Sequence, residues 1–505
     1  MSPSDPAADP RLDALTDLAV PEARDGAGLH RYDGAVQDLS PDGVRAGLAR
    51  LGGPQRPDPH DERHVAAFEA RARLVLGELG MHRRDPGLHV EALDVSGYDR
   101  EYAPLEERAA ARGRHLAAWP DAVDAAVEAL DAVSAPVAQA LLGAARGLGE
   151  DVEDPAALAA LDRFLAHLER AAREGDPDPS LGARALTRLL ALPEGLGEQD
   201  ADLGRLAAAA DAERDRLHGL LAEACDRIAP GERPQDVVPR LLADHPDASG
   251  VLREARAQVD EVLAFAREHD LAPHLDGECR VGPAPASKRW SMAMMAWAAP
   301  QEPDGPSWYW VTPPDPSWPA QDVEDWLSVF SRTTLPAVTA HEVAPGHFAH
   351  GRSLRRAATP ERRVLQSMAF AEGWAHYTEE VMVEQGFRGD DPRFAAGVWL
   401  EALVRVTRMA CAVGLHTGAM TVEDATRRFE QDALMARASA ASEARRGTFD
   451  PTYGRYTWGK LALLRLREEA RAAWGPGFSL PRFHRALLAL GSPPLGLLPT
   501  ALERG

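Results

Sequence analysis

Apolar positions recur at helical spacing through much of the chain's first half, from about residue 41 to residue 273. In VLREARAQVDEVLAFAREHD, charged side chains occupy one face of the predicted helix and apolar side chains the other. The apolar stripe consists of Leu252, Ala255, Val259, Val262 and Ala266. Similar patterns cover roughly residues 120–175 and 202–228. The region predicts an antiparallel helical assembly, in which we interpret the stripe as core.

The pattern changes between about His274 and Trp326, where prolines and tryptophans become frequent. The segments SKRWSMAMMAW and SWYWVT predict two short strands, joined by a loop through APQEPDGP. Six of the eleven tryptophans of the chain fall here, namely Trp290, Trp297, Trp308, Trp310, Trp318 and Trp326. Two roles stay open for them, as an aromatic support for the helical body or as a lining for a substrate.

Helical patterns return from about Gln321, beginning with DVEDWLSVFSRTTLPAVTAHE. Further helices are predicted at 362–385, at 399–413 and in WGKLALLRLREEARAAW. The fold class is therefore mainly α with a small β element. The predicted division is a flexible N-terminal segment at 1–40, a helical domain at 41–273, a Trp/Pro-rich β-containing segment at 274–320 and a second helical domain at 321–505.

The charge and hydropathy of the chain argue against two classes of binding partner, nucleic acids and membranes. The net charge of −22 argues against nucleic acid, because a protein that binds phosphate backbones needs a basic surface. No window approaches the roughly 18 uninterrupted apolar residues of a membrane span. The polar start MSPSDPAADPRLDAL has no feature of a secretory signal. We therefore expect a cytoplasmic protein without a membrane partner.

The three cysteines indicate no disulfide framework and no thiolate zinc site. Cys225, Cys279 and Cys411 lie far apart along the chain and form no CxxC pair.

The stretch HEVAPGHFAH, residues 341–350, resembles a zinc motif with altered spacing. In HExxH, two histidines four residues apart share one helix face, and the glutamate acts as general base. His341 and His347 are six residues apart, which on a straight helix places them about 120° apart and ~9 Å along the axis. Pro345 removes a backbone donor and Gly346 permits unusual dihedral angles. We predict that the helix kinks, bulges or restarts here, so that the two histidines converge.

A third ligand is predicted in AFAEGWAHYTEE. Glu372 and His376 stand at positions i and i+4 on one helix face, and Glu379 or Glu380 continues that face. Two histidines and one glutamate form a known catalytic zinc site, which leaves Glu342 free as the base. A chance pair of histidines six residues apart stays an alternative explanation of the spacing, because the chain has 17 histidines.

These two motifs resemble a bacterial family of long-unassigned function that is grouped with the zincin (gluzincin-like) metallopeptidases. Its marks are HExxPGH, present at 341–347, and EGWAxYxE, present at 372–379. The similarity continues through RMACAVGLHTGAMTVEDA, DPTYGRYTWGKLALLRLR and GSPPLGLL, and it covers most of residues 270–505. The resemblance implies a mainly helical zincin body, in which 321–505 is the metal-binding catalytic domain.

The resemblance also implies roles for individual residues. The ligands of a Zn²⁺ cofactor become His341, His347 and Glu372, with Glu342 as general base. Arg408, His416 and Tyr456 are expected near the site as contacts to the substrate or the oxyanion, since developing negative charge needs donors. For Tyr456 and His416, a structural role as buried, hydrogen-bonded side chains stays an alternative.

Two positions depart from the pattern of that family. Ala412 stands where the family usually carries an acid, which puts the role of His416 in doubt. His350 stands in place of an expected glutamine. It and His376 are open as additional contacts of the metal.

The sequence favours a zinc-dependent hydrolase of amide bonds, acting on short peptides by Glu342-assisted attack of water. A metal-dependent amidase or tailoring enzyme on a small metabolite or modified peptide is a second hypothesis. A non-catalytic binding protein on the same fold is a third. This last hypothesis predicts the loss of a ligand or of the base, yet all four residues are intact.

Overall fold

The computed structural model describes residues 9–289, 291–302, 305–315 and 317–505. The fold is mainly α-helical with one small sheet, which confirms the predicted fold class. Trp290 and residues 1–8 of the N-terminal segment lie outside the described residues. Among the helices in the described ranges, none is long and apolar enough to cross a bilayer.

Eleven α-helices precede the sheet within the described part of the chain. They are α1 (Pro10–Thr16), α2 (Pro41–Ala49), α3 (Pro59–Ala72), α4 (Pro86–Leu93), α5 (Leu105–Ala129), α6 (Ala135–Gly147), α7 (Pro155–Glu174), α8 (Ala183–Ala191), α9 (Leu203–Ile228), α10 (Pro234–Ala243) and α11 (Ala248–Glu268). In α1, α2, α3, α4 and α7, a proline in the first turn follows an Asp or Ser whose side chain accepts a backbone N–H. These local signals fix where the helices begin.

The periodicity of α11 is confirmed by burial. Ala255, Val259, Val262 and Ala266 are buried, and Leu252 is half-buried at the edge of the stripe. The stripe is core, as predicted.

The small sheet has three strands in the order β1-β3-β2, with β1 at Cys279–Pro283, β2 at Ala293–Ala296 and β3 at Ser307–Val311. The two predicted strands correspond to β2 and β3, which pair antiparallel. The sequence missed β1, which pairs parallel to β3. Its five residues include a glycine and a proline, so it has no strand pattern of its own and depends on its partner strand.

The remaining helices follow the sheet. They are α12 (Ala320–Ser328), α13 (Leu335–Glu342), α14 (His347–Leu354), α15 (Pro360–Val364), α16 (Met368–Glu384), α17 (Pro392–His416), α18 (Val422–Asp432), α19 (Arg437–Phe449), α20 (Arg455–Trp474), α21 (Leu480–Leu488) and α22 (Thr500–Arg504). The predicted helix at 362–385 is two helices, because Ser367 caps a new one by accepting the N–H of Phe370.

One continuous apolar core extends from Leu186 to Ala501, across the predicted boundaries at 273 and 320. A second core joins α4, α5, α6 and α7. From residue 9 onward the segment expected to be flexible is packed, since Leu12 and Leu15 are buried in a cluster with Val364 and Leu365. Whether the four predicted regions are separate folding units stays a prediction.

Helices α16 and α20 approach each other closely through two glycines. A Cβ atom on Gly373 would lie 2.6 Å from Cα of Gly459, and one on Gly459 would collide with the carbonyl oxygen of Ala369. Both obstacles are backbone, which cannot rotate away as a side chain can. This contact positions α16, the helix that carries Glu372.

We expect Gly459→Ala to destabilise the protein by about 1–3 kcal/mol, because the added methyl group forces the two helices apart. Gly113→Ala is the matched control, since Gly113 is exposed within α5 and has open space around its Cα atom. That change should stabilise the helix by about 0.5–1 kcal/mol. Urea unfolding midpoints that move in opposite directions would support this account, and equal midpoints would contradict it.

Candidate metal centre

The helix that carries His341 ends immediately after it and restarts at His347. Helix α13 ends at Glu342 and α14 begins at His347, so the predicted interruption is confirmed as a restart. The Ala344–Pro345 peptide bond is cis. A side chain at position 346 would not fit, since a Cβ atom there would lie 2.6 Å from the carbonyl oxygen of Ala340.

The restart brings the two histidines together. The centroids of the His341 and His347 rings are 4.7 Å apart, with the ring planes nearly perpendicular. Helix α16 supplies Glu372, whose Oε2 lies 3.2 Å from Nε2 of His347 and 3.5 Å from Nε2 of His341. One ligand atom from each residue lies within 4.8 Å of the others. The three residues that the sequence singled out as ligands therefore form one cluster.

The donor set fits a zinc ion. Bond lengths of about 2.0–2.1 Å in a tetrahedral site place neighbouring donor atoms roughly 3.3 Å apart, close to both distances from Glu372. His347 and His341 pull the pKa of the Glu372 carboxyl well below its usual range, against the effect of burial. This carboxylate is thus ionised, which is the form that binds a cation.

Glu342 lies beside this cluster with an unsatisfied carboxyl group. Within the described ranges, its buried Oε2 has no hydrogen-bond partner. Burial raises the pKa of Glu342, which moves the carboxyl toward the range where it can accept and return a proton. An orphaned buried carboxyl oxygen is costly unless a ligand or water satisfies it.

A second carboxylate, that of Glu379, orients the His341 ring through Nδ1, the nitrogen that does not face Glu372. Oε1 of Glu379 lies 2.6 Å from Nδ1 of His341, and Arg405 approaches the same oxygen at 3.4 Å. Burial and Arg405 lower the pKa of His341, but the carboxylates of Glu372 and Glu379 outweigh them and raise it to about 9. An Nδ1–H donated to Glu379 leaves Nε2 to face Glu372 and the centre. The sequence placed Glu379 on the correct helix face, seven residues after Glu372, without giving it this role.

The two histidines left open as additional ligands lie outside the cluster. Nδ1 of His376 lies 3.4 Å from the other oxygen of Glu379, and Nε2 of His350 lies 3.3 Å from the carbonyl oxygen of Gly491. Burial lowers the pKa of His376 to about 4 and that of His350 to about 3, so both are neutral. His376 supports Glu379, and His350 links α14 to the chain near residue 491.

Tyr456 lies at the centre, whereas Arg408 lies behind it. The Tyr456 ring stacks near His341 with 6.4 Å between centroids. Cζ of Arg408 lies 5.1 Å from the Tyr456 ring, and its guanidinium donates two 2.7 Å hydrogen bonds to Glu443. Arg408 is therefore occupied by a carboxylate within the protein.

His416 is not brought to the centre. It lies eight residues beyond Arg408 on α17, which is about 12 Å along a helix. Among the described residues, its side chain has a single hydrogen-bond partner, the carbonyl oxygen of Gly447 at 2.8 Å. The predicted contact of His416 with substrate is therefore replaced by a buried structural role, consistent with the absence of an acid at Ala412.

Two tryptophans flank the restart. Nε1 of Trp374 donates to the carbonyl oxygen of Pro345 at 2.9 Å. Trp297 follows β2, and its half-buried ring lies 6.1 Å from that of His347. Trp374 fixes the interruption by its hydrogen bond to Pro345, and Trp297 lies beside the candidate ligand His347.

Two solved structures resemble the chain along almost its whole length. One is a candidate lipoprotein of unknown function from Shewanella oneidensis, with 19% sequence identity and a TM-score of 0.74, covering 99% of this chain and 100% of that chain. The other is a candidate lipoprotein from Colwellia psychrerythraea, with 16% identity and a TM-score of 0.75, covering 97% and 96%. At these identities the likeness shows the fold alone.

The expectation of a cytoplasmic location is wrong. Both structural relatives are candidate lipoproteins, a class of protein that is anchored to a membrane outside the cytoplasm. The expectation rested on the lack of a membrane span and on a polar start. A folded body that faces water lacks a membrane span on either side of a membrane, so this feature does not determine the compartment.

The family assignment comes from the sequence match. No curated protein matches the chain. A family described as bacterial protein of unknown function, DUF885, matches residues 136–502, which includes all residues of the candidate metal centre. The chain therefore belongs to this bacterial family of unknown function, DUF885.

Proposed function

We propose that the protein is a zinc-dependent hydrolase that cleaves amide bonds in short peptides, with a zincin-like arrangement of its catalytic residues. The observation that carries the proposal is the convergence of His341, His347 and Glu372 beside the unsatisfied carboxyl group of Glu342. A structural site would close the coordination sphere with protein ligands, whereas three ligands leave a position for water or substrate.

The protein's own residues have separate tasks in this reaction. A zinc ion bound by the three ligands would supply Lewis acidity, polarising the scissile carbonyl group and making water more acidic. Glu342 takes the proton of the attacking water and delivers it to the leaving amine. The hydroxyl of Tyr456 donates to the oxyanion that develops on the carbonyl oxygen. Glu379 holds His341 in the tautomer that presents Nε2 to the centre.

Zinc content should separate the ligands from the base. We expect about one zinc ion per chain in the wild type and in Glu342→Gln, and none in His347→Ala, measured by elemental analysis after zinc-replete purification. Peptide cleavage should fall about 10²- to 10⁴-fold in Glu342→Gln, since the general base is lost. His350→Asn is the matched control on the same helix and should keep its zinc, because His350 points to Gly491.

A wild-type protein without zinc would refute the proposal. Stoichiometric zinc without cleavage of any member of a peptide library would instead favour an amidase or tailoring enzyme that acts on a small metabolite.

Removal of the negative charge of Glu379, which contacts His341, should weaken zinc binding. We expect Glu379→Gln to raise the zinc dissociation constant about 10- to 100-fold, because His341 loses the carboxylate that orients it and increases its basicity. Competition with a chromophoric chelator measures this constant without reference to activity. Glu384→Gln is the control, since Glu384 lies on the same helix but pairs with Arg467. Equal constants for the two variants would show that Glu379 has no orienting role.

A further inference from the structure

Two arginines lie just beyond Tyr456 and have no role in the proposed reaction. Arg446 is on α19, and Arg455 is the first residue of α20. Nη2 of Arg446 approaches the Tyr456 hydroxyl at 3.5 Å, and Cζ of Arg455 lies 5.7 Å from the Tyr456 ring. Since that ring stacks near His341, both guanidinium groups are one side chain removed from the metal centre.

These two arginines share one carboxylate. Arg455 donates to both oxygens of Asp450, at 2.6 and 3.0 Å, and Arg446 donates to one of them at 3.1 Å. Burial disfavours the charge on Asp450, but Arg455 and Arg446 overcome it and hold the pKa at about 2. Two guanidinium groups thus share one hydrogen-bonded carboxylate. Glu443 also lies near Arg446, but both of its oxygens accept hydrogen bonds from Arg408.

Both arginines retain unused donors on partly accessible side chains. Of the three guanidinium nitrogens of Arg446, only Nη2 donates to an acceptor among the described residues. Nε of Arg455 is buried and has no partner there. The two side chains are 19% and 16% exposed, so a small ligand can reach them. A planar guanidinium with free donors matches the geometry of a carboxylate or a phosphate group, and a carboxylate is the one that every peptide carries at its C-terminus.

An acidic neighbour approaches from the N-terminal half of the chain. Asp85 caps α4 and lies near Asp450. Burial, and to a smaller extent Asp450, raises the pKa of Asp85 to about 7. Its charge is therefore partial at neutral pH, and it offsets only part of the positive charge on the two arginines.

We propose that Arg446 and Arg455 bind the C-terminal carboxylate of the peptide substrate, so that the protein cleaves near the carboxyl end. The inference rests on the proposed function and names the class of substrate for the same site. An extended peptide advances roughly 3.3–3.6 Å per residue, so a carboxylate at these arginines lies about one to three residues from the scissile bond. The released fragment is then an amino acid or a very short peptide.

Matched peptides test this recognition. The wild type should cleave Ala-Ala-Ala-Ala with a free carboxyl end at least tenfold faster, in kcat/KM, than the same peptide with a C-terminal amide. A third peptide, Ala-Ala-Glu-amide, separates the two sources of a carboxylate. Cleavage of this peptide at the rate of the free acid would show recognition of an acidic side chain and would overturn the assignment to the chain terminus.

Substitutions of Arg446 test whether this arginine causes the preference for a free C-terminal carboxylate. Arg446→Gln should lower kcat/KM for the free acid about 10- to 100-fold more than for the amide, mainly through KM. The ratio between the two substrates is the readout, because Arg446 also contacts the Tyr456 hydroxyl. Arg446→Lys should recover part of the loss, because it restores the charge without the planar fork. Arg445→Gln is the control, since Arg445 is the exposed preceding residue on the same helix. Thermal unfolding should show that all three variants remain folded.

Binding to Glu342→Gln distinguishes the failure of this inference from the failure of the proposed function. Calorimetry on this variant should show tighter binding of the free acid than of the amide, and the added Arg446→Gln change should abolish the difference. Equal binding of acid and amide would overturn the inference and leave the hydrolase proposal standing. Selective binding of the acid, with no peptide cleaved by the wild type, would refute the peptidase and retain the carboxylate site.

Discussion

The interruption between Glu342 and His347 is the constraint on which the rest of the centre depends. Two histidines six residues apart diverge on a straight helix, and here their rings are 4.7 Å apart because one helix ends and another begins between them. Pro345 prevents the helix from continuing, and Gly346 is the residue that fits against the end of α13. The six-residue spacing of His341 and His347 therefore leaves room for the interruption that brings their rings together.

Helix α16 completes and stabilises this arrangement. It carries Glu372 as the third member of the cluster, Trp374 as the donor to Pro345 and Glu379 as the partner of His341. The close contact of Gly373 with Gly459 fixes α16 against α20, the helix that carries Tyr456. The candidate ligand Glu372, the tryptophan that supports the interruption and the neighbouring tyrosine thus depend on one helix–helix contact.

The buried charged side chains around the centre form a series of linked ion pairs. His341 contacts Glu379, which Arg405 also contacts, and Arg405 in turn pairs with Glu401. A buried charge is tolerated only when partners satisfy it, so the removal of one member leaves another unpaired. The pair Arg446 and Arg455 differs from this pattern, because it has one carboxylate for two guanidinium groups. That difference is what indicates a ligand of negative charge.

The sequence by itself determined most helices, two of the three strands, the identity of the candidate ligands and the need for an interruption at Pro345. These features depend on periodicity, on capping residues and on the covalent structure of proline, all of which act within a few residues. The tertiary structure decided the pairing of β1 with β3, the separation of His416 from the centre and the convergence of Glu379, Arg446 and Arg455. The reason is physical: which side chains meet depends on how helices distant in sequence pack, and the periodicity of each helix defines its buried face but not its partner.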